Sequence, residues 1–139
     1  MKKIFFVTAL LVSYILIQAQ TKAPSVIKES FAKQFPDAVN IKWGKENAKE
    51  YEAEFILKGT KMSANYDLQG NWKETETEMQ IKDLPEAVVK SINTKYPGTT
   101  IYGASKTENP GGKIIYEADI KVNDKKKEVE LFADGKFVK

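Results

Sequence analysis

Two acidic pairs, Glu52/Glu54 and Glu117/Asp119, sit in near-identical surroundings: Tyr51-Glu52-Ala53-Glu54-Phe55 returns as Tyr116-Glu117-Ala118-Asp119-Ile120. In both, apolar residues alternate with acidic ones, the pattern of a half-buried strand. Residues two apart on a strand share a face at about 6.5–7 Å. That lies within the roughly 6.5–9.5 Å that separates the carboxyls of an inverting glycosidase. Such chemistry also needs a cleft and an apolar setting that keeps one carboxyl protonated. An open sheet among many lysines supplies neither, so the pairs read as a solvated sheet face. A third acidic row, Glu74, Glu76 and Glu78, alternates with Lys73, Thr75 and Thr77. Its oxygens suit a hard cation, but no Asp-, Asn- and Gly-rich calcium loop surrounds them. Cross-strand pairing with lysines is expected instead, and no metal or cofactor.

The missing residue types exclude more. With no His and no Cys, a Ser-His-Asp triad, a Cys-His pair and the usual zinc sets are impossible. No Gly-rich phosphate loop precedes a helix; Gly111-Gly112 lies between strands. Every basic side chain is Lys, so bidentate guanidinium recognition of phosphate or carboxylate is absent.

Lys2 and Lys3, the apolar run Ile4 to Ile17 and the small Ala19 form the three parts of a secretory signal peptide. The run is short for a membrane span. Residues 1–19 are therefore read as a signal peptide cleaved near Ala19, with no stable membrane insertion afterwards. No Cys follows the run, which excludes a lipoprotein. The formal charge of +3 loses Lys2 and Lys3, leaving 3 − 2 = +1. That balance gives no basic stripe for nucleic acid. An exported chain without disulfides must rely on apolar burial.

The elements that position the acidic pairs follow from periodicity. Val26, Ile27, Phe31 and Phe35 recur at helical spacing after Pro24, and Pro36 stops them. Val39, Ile41 and Trp43 alternate as a strand, and Gly44 to Glu50 reads as a polar turn. Strands follow at Tyr51–Leu57, Met62–Leu68 and Trp72–Met79, the last polar enough on both faces to resist edge pairing. A second helix runs from Pro85 through Ala87, Val88 and Ile92 to Tyr96-Pro97. Strands at Thr99–Thr107, Ile114–Val122 and Lys127–Phe132 come next, and Phe137 can begin a fourth. The Lys125-Lys126-Lys127 run reads as a solvated turn.

The two halves correspond. Pro24, Phe31, Phe35 and Pro36 match Pro85, Ile92, Tyr96 and Pro97 at a spacing of 61, and the Tyr-Glu-Ala copies, Gly70/Gly135 and Trp72/Phe137 match at 65. The difference falls in a turn, where insertions are tolerated. The expected fold is α+β in two layers: two tandem repeats of helix plus antiparallel sheet, 24–80 and 84–139, within a domain spanning 20–139. One helix covers only one face of its sheet, leaving a polar face to solvent.

Helix, Phe-Pro or Tyr-Pro, a Trp-bearing strand, Tyr-Glu-Ala-acidic-apolar and a closing Gly hairpin together resemble the PepSY-like family of exported Bacteroidetes proteins. The resemblance covers roughly Pro24 to Phe137. It implies a fold like that of the β-lactamase-inhibitor protein, with the sheets forming one curved surface and no enzymatic activity. That inhibitor depends on disulfides that this chain lacks, and the analogy is one of fold.

The expectation is an exported non-enzymatic module, periplasmic or secreted, that holds a protein or peptide on its open sheet face. The alternatives are an inhibitor of an exported protease or β-lactamase and, from another class, a carbohydrate-active enzyme. The candidate surface comprises Glu52, Glu54, Trp72, Glu117, Asp119, Lys121, Glu130 and Phe132. Trp43, Tyr51, Tyr66, Tyr116 and Phe137 are assigned mainly to the core, whereas Trp72 and Phe132 are the aromatics hardest to place inside.

Overall fold

The computed structural model describes residues 22–138. The expected signal peptide, residues 1–19, and its cleavage point lie outside the described residues. The order is α1 (Ser25–Gln34), β1 (Val39–Asn47), β2 (Glu50–Leu57), β3 (Thr60–Asp67), β4 (Trp72–Glu78), a 3-10 turn (Ile81–Asp83), α2 (Glu86–Lys95), β5 (Thr100–Glu108), β6 (Ile114–Val122) and β7 (Lys125–Leu131). The fold is α+β. All seven strands form one antiparallel sheet in chain order, β1 to β7.

Pro24 and Pro85 start the helices, and their carbonyls accept from Ile27 and Lys28 and from Val88 and Val89. α1 buries Ile27 and Phe31 against Ala53, Phe55, Ala64 and Tyr66. α2 buries Val88 and Ile92 against Ala104, Ala118, Ile120, Val129 and Leu131. Alanine at 53, 64, 104 and 118 lets each helix approach its strands closely. The first core is aromatic: the Phe31 ring stands at 5.0 Å from Phe55 and 5.4 Å from Phe35 and Trp43. Edge-on contacts at these distances suit the ring quadrupoles. The buried residues of the second core are all aliphatic, with Tyr96, Tyr116 and Phe137 at its margin.

Both helices lie against the face that carries Ala53 and Ala118, leaving the face with Glu52 and Glu117 open. Between the two cores, Gln34, Phe35, Met62, Trp72, Thr75, Thr77, Lys106 and Glu108 line a cleft of about 410 Å³ over β4 and β5. Here β4 pairs with β5 at four positions, from Thr75↔Glu108 to Glu78↔Ser105.

Several expectations change. The polar β4 is interior, paired on both sides, rather than an edge resisting partners. Beyond Trp72, which packs against the first core, it is polar because no helix core covers it. β1 continues through Gly44–Asn47, so the supposed turn shrinks to Ala48-Lys49; Lys45 is paired with Tyr51 and its ammonium stands 5.9 Å from that ring. Lys125–Lys127 belong to β7, paired with Val122, Lys121 and Ile120. Here Asn123 and Asp124, at φ +48° and +63°, make the turn by themselves. Phe137 forms one bridge, to Leu131, just as Trp72 pairs with Tyr66.

Gly70 and Gly135 close the hairpins against the helices. Each has positive φ, and a Cβ on Gly135 would lie 2.6 Å from the Ala87 carbonyl oxygen and from Ser91 Oγ. Gly135→Ala is expected to lower stability by about 1–3 kcal/mol in urea unfolding. Gly59 shares the backbone strain (φ +81°) but has nothing within 4 Å. The excess loss in Gly135→Ala over Gly59→Ala therefore measures the clash with α2.

Candidate functional site: an acidic groove on the open sheet face

The strand register sets what faces what. Across β2 and β3, Glu52 opposes Asn65 and Glu54 opposes Ser63. Across β3 and β4, Asn65 opposes Glu74 and Ser63 opposes Glu76. Glu76 and Glu78 then meet Thr107 and Ser105 of β5. Ser105 and Gly103 meet Glu117 and Asp119, which face Glu130 and Glu128 of β7. One band of carboxylates thus crosses the sheet from β2 to β7. Residues from six successive strands, β1 to β6, line a single groove of about 980 Å³. A cavity shared by six neighbouring strands requires the sheet to curve towards its open face.

The expected lysine pairing of Glu74, Glu76 and Glu78 is corrected by this register. Their cross-strand neighbours are Asn65, Ser63, Thr107 and Ser105, while Lys61 sits opposite Ile56. Among the described residues the salt bridges are Lys73–Asp67, Lys121–Asp124 and Lys136–Asp134. None neutralises the band.

The electrostatic consequence is visible in the proton affinities. Burial, then the negative charges of Glu128 and Glu76, push the Glu117 carboxyl up to about 9; a hydrogen bond with Glu128 and the Asp119 charge add to this. Glu128 is also raised, first by burial. Burial raises Glu52, opposed by a hydrogen bond with Ser63 and reinforced by Glu54, Glu46 and Glu76. Glu74 is raised by burial and by Glu50, Glu76 and Glu46. A carboxyl held protonated in a groove is the feature that the sequence alone denied to an open sheet; curvature and crowding provide it.

Two further polar side chains belong to this face, Ser105 in the groove lining and Asn65 opposite Glu52. Asn65 and Ser105 are 8% and 7% exposed, and Asn65 Oδ1 and Ser105 Oγ have no hydrogen-bond partner among the described residues. Asn65 does donate from Nδ2 to Glu74 Oε1 at 3.2 Å. Buried polar atoms are seldom left unsatisfied.

Of the candidate surface residues, Glu52, Glu54, Glu117, Asp119 and Glu130 are brought together on this face. Lys121 stands at one end, paired with Asp124 at 3.1 Å. Phe132 follows β7, half-buried, with the Lys113 ammonium 4.8 Å from its ring centre. Trp72 is a correction: it packs against the core under α1 and its Nε1 donates to Thr75 Oγ1 at 2.9 Å. A register shift between Asn65 and Tyr66 places it opposite buried Tyr66. The sequence reading missed Asn65, Gly103, Ser105 and Glu128. A turn centred on Asn123-Asp124 already implies Glu128 opposite Asp119.

The comparisons with known proteins agree with this fold. The profile of the PepSY-like family, described as beta-lactamase-inhibitor-like, matches residues 49–139. The chain belongs to that family. Among solved structures, a BLIP-like protein from Bacteroides fragilis is 23% identical with a TM-score of 0.70, covering 87% of this chain and 86% of its own. A DUF2874 family protein from Bacteroides uniformis is 19% identical with a TM-score of 0.77, covering 85% and 88%. A protein from Bacteroides eggerthii, one of the “putative periplasmic proteins”, is 16% identical with a TM-score of 0.78, covering 86% and 88%. These likenesses establish the fold. No curated protein matches the chain. No helix among the described residues is long and apolar enough to cross a membrane.

Proposed function

We propose that this is an exported, non-catalytic binding module whose concave sheet face holds a lysine-rich segment of a protein or peptide. One observation carries the reading: a band of carboxylates crosses the groove, and among the described residues none of them is salt-bridged to a lysine, although Lys42 stands opposite Glu54 and the chain as a whole has a formal charge of +3. Crowded acidic groups are relieved by a cationic partner, and the unpartnered Asn65 Oδ1 can accept from its ammonium or amide groups. Periplasmic or secreted placement rests on the signal-peptide pattern of residues 1–19. We also read the halves as two copies of one unit. The supporting facts are Tyr66↔Trp72 beside Leu131↔Phe137, and Gly70 against the Val26 carbonyl beside Gly135 against that of Ala87.

The test is titration of the purified protein, in EDTA, with a fluorescent oligolysine peptide and an oligoglutamate control. Saturable binding of oligolysine alone is expected, weakened at least about tenfold by 0.5 M NaCl as exposed charges are screened. The double variant Glu52→Lys/Glu117→Lys should lose it while keeping its circular dichroism. Equal binding of both peptides, or undiminished binding by the variant, sinks the proposal. Cross-linked capture from periplasmic extract would then name the physiological partner. If that partner is a β-lactamase or protease, loss of its activity on titration distinguishes an inhibitor from a carrier.

A second reading, glycan hydrolysis, is favoured by one observation, the protonated Glu117 beside Asp119 in a groove. Release of sugar from a glycan panel by wild type and not by Glu117→Gln would support it. No release by wild type removes it.

A further inference from the structure

We propose that Glu117, Asp119 and Glu128, with the Ser105 hydroxyl, form a seat for a hard divalent cation, for which calcium is the best-fitting ion. Each of the three acidic residues offers a carboxylate oxygen, and these lie within 4.8 Å of one another; an ion seated here displaces the proton that Glu117 otherwise holds. Three oxygens spread evenly around one calcium at 2.3–2.6 Å stand about 4.0–4.5 Å apart, so side-chain shifts of a few tenths of an ångström at most bring all three onto one ion. The independent observation is Ser105. It is directly paired with Glu117, lines the same groove as Glu117 and Asp119, and is 7% exposed, yet its Oγ has no partner among the described residues.

The local backbone makes room for this arrangement. Asp119 leans across β5 at Gly103, where a Cβ would fall 2.5 Å from Asp119 Oδ2. β7 then brings Glu128 opposite Asp119. All the donors are oxygens, and the chain contains no His or Cys, which disfavours zinc and copper. Magnesium demands a tighter, near-octahedral shell at 2.0–2.1 Å, whereas calcium accepts six to eight irregular oxygens and water. A groove open to solvent supplies that water. The inference goes beyond peptide binding and does not depend on it.

The experiment uses purified protein stripped with EDTA, with calcium chloride as the probe and no peptide present. Isothermal titration should show one saturable site with a dissociation constant of about 0.1–1 mM, the range of extracellular calcium modules. Terbium should bind there too, with emission sensitised by nearby Tyr102, which senses the charges of Asp119 and Glu128. Glu128→Gln, which relieves repulsion and should fold, is expected to weaken calcium at least about tenfold, and Ser105→Ala several-fold. Glu29→Gln on α1 should bind as wild type. No saturable heat up to 10 mM calcium, or binding undiminished in Glu128→Gln, overturns the assignment. So does an equal thermal shift from sodium chloride at matched ionic strength, which would be general screening. Failure here with oligolysine binding intact leaves the peptide reading standing, and the converse holds as well.

Discussion

Replacing Phe31 with alanine is expected to remove about 3–5 kcal/mol of stability, a large share of what a domain of this size possesses. Phe31 is 2% exposed and lies at the centre of the first core, with ring contacts to Phe35, Trp43, Phe55 and Tyr66. Truncation leaves a ring-sized hole that the stiff sheet beneath cannot close, so the lost transfer energy and the cavity add. Phe35→Ala should cost clearly less, because that ring is only half-buried. Urea unfolding followed by tryptophan fluorescence reads both, since Trp43 and Trp72 belong to the same core. A loss for Phe31→Ala below about 1.5 kcal/mol would contradict a tightly packed aromatic hub.

The second large effect concerns pH. Glu117 is raised from 4.5 to about 9 in the folded protein. Between those values the folded chain holds a proton that the unfolded chain has released. Stability contributed by this group is therefore complete below about pH 4.5 and lost as pH rises towards 9. The charged groups facing it are Glu76 on β4, Asp119 on its own strand, and Glu128 and Glu130 on β7. Lys121, two residues beyond Asp119, is engaged by Asp124. Glu117→Gln mimics the protonated state and should abolish most of the decline. In EDTA its melting temperature at pH 9 is expected to exceed that of wild type by roughly 3–6 °C, with little difference at pH 4.5. A parallel decline in both proteins would place the pH sensitivity elsewhere.

Most of the fold was legible because its local rules agree. Pro24 and Pro85 begin helices, Pro36 and Pro97 follow their ends, and the Tyr-Glu-Ala strands alternate cleanly between core and open face. The joining of β4 to β5 was not legible, because four pairs between polar strands leave no hydrophobic pattern to read. The same omission hid the site. Without β4 beside β5, Glu76 has no reason to approach Ser105 and Glu117, and two polar faces look like separate solvated surfaces. Trp72 was misplaced for a smaller reason: a bulge shifts its register, and bulges leave little trace in alternation. Lysine pairing was assumed from composition, whereas pairing depends on which residues the hairpins set opposite each other.

The order of the strands carries a kinetic consequence. Six of the seven strands pair with their immediate successor, and only the β4–β5 closure must span a helix, 21 intervening residues from Glu78 to Thr100. Short loops carry a small closure entropy, so this sheet should assemble faster than Greek-key sheets of the same size. Each half can gather its own apolar cluster first, and the four-pair seam then zips the two together. The groove exists only after that last event, so the proposed binding surface is the final part of the molecule to form.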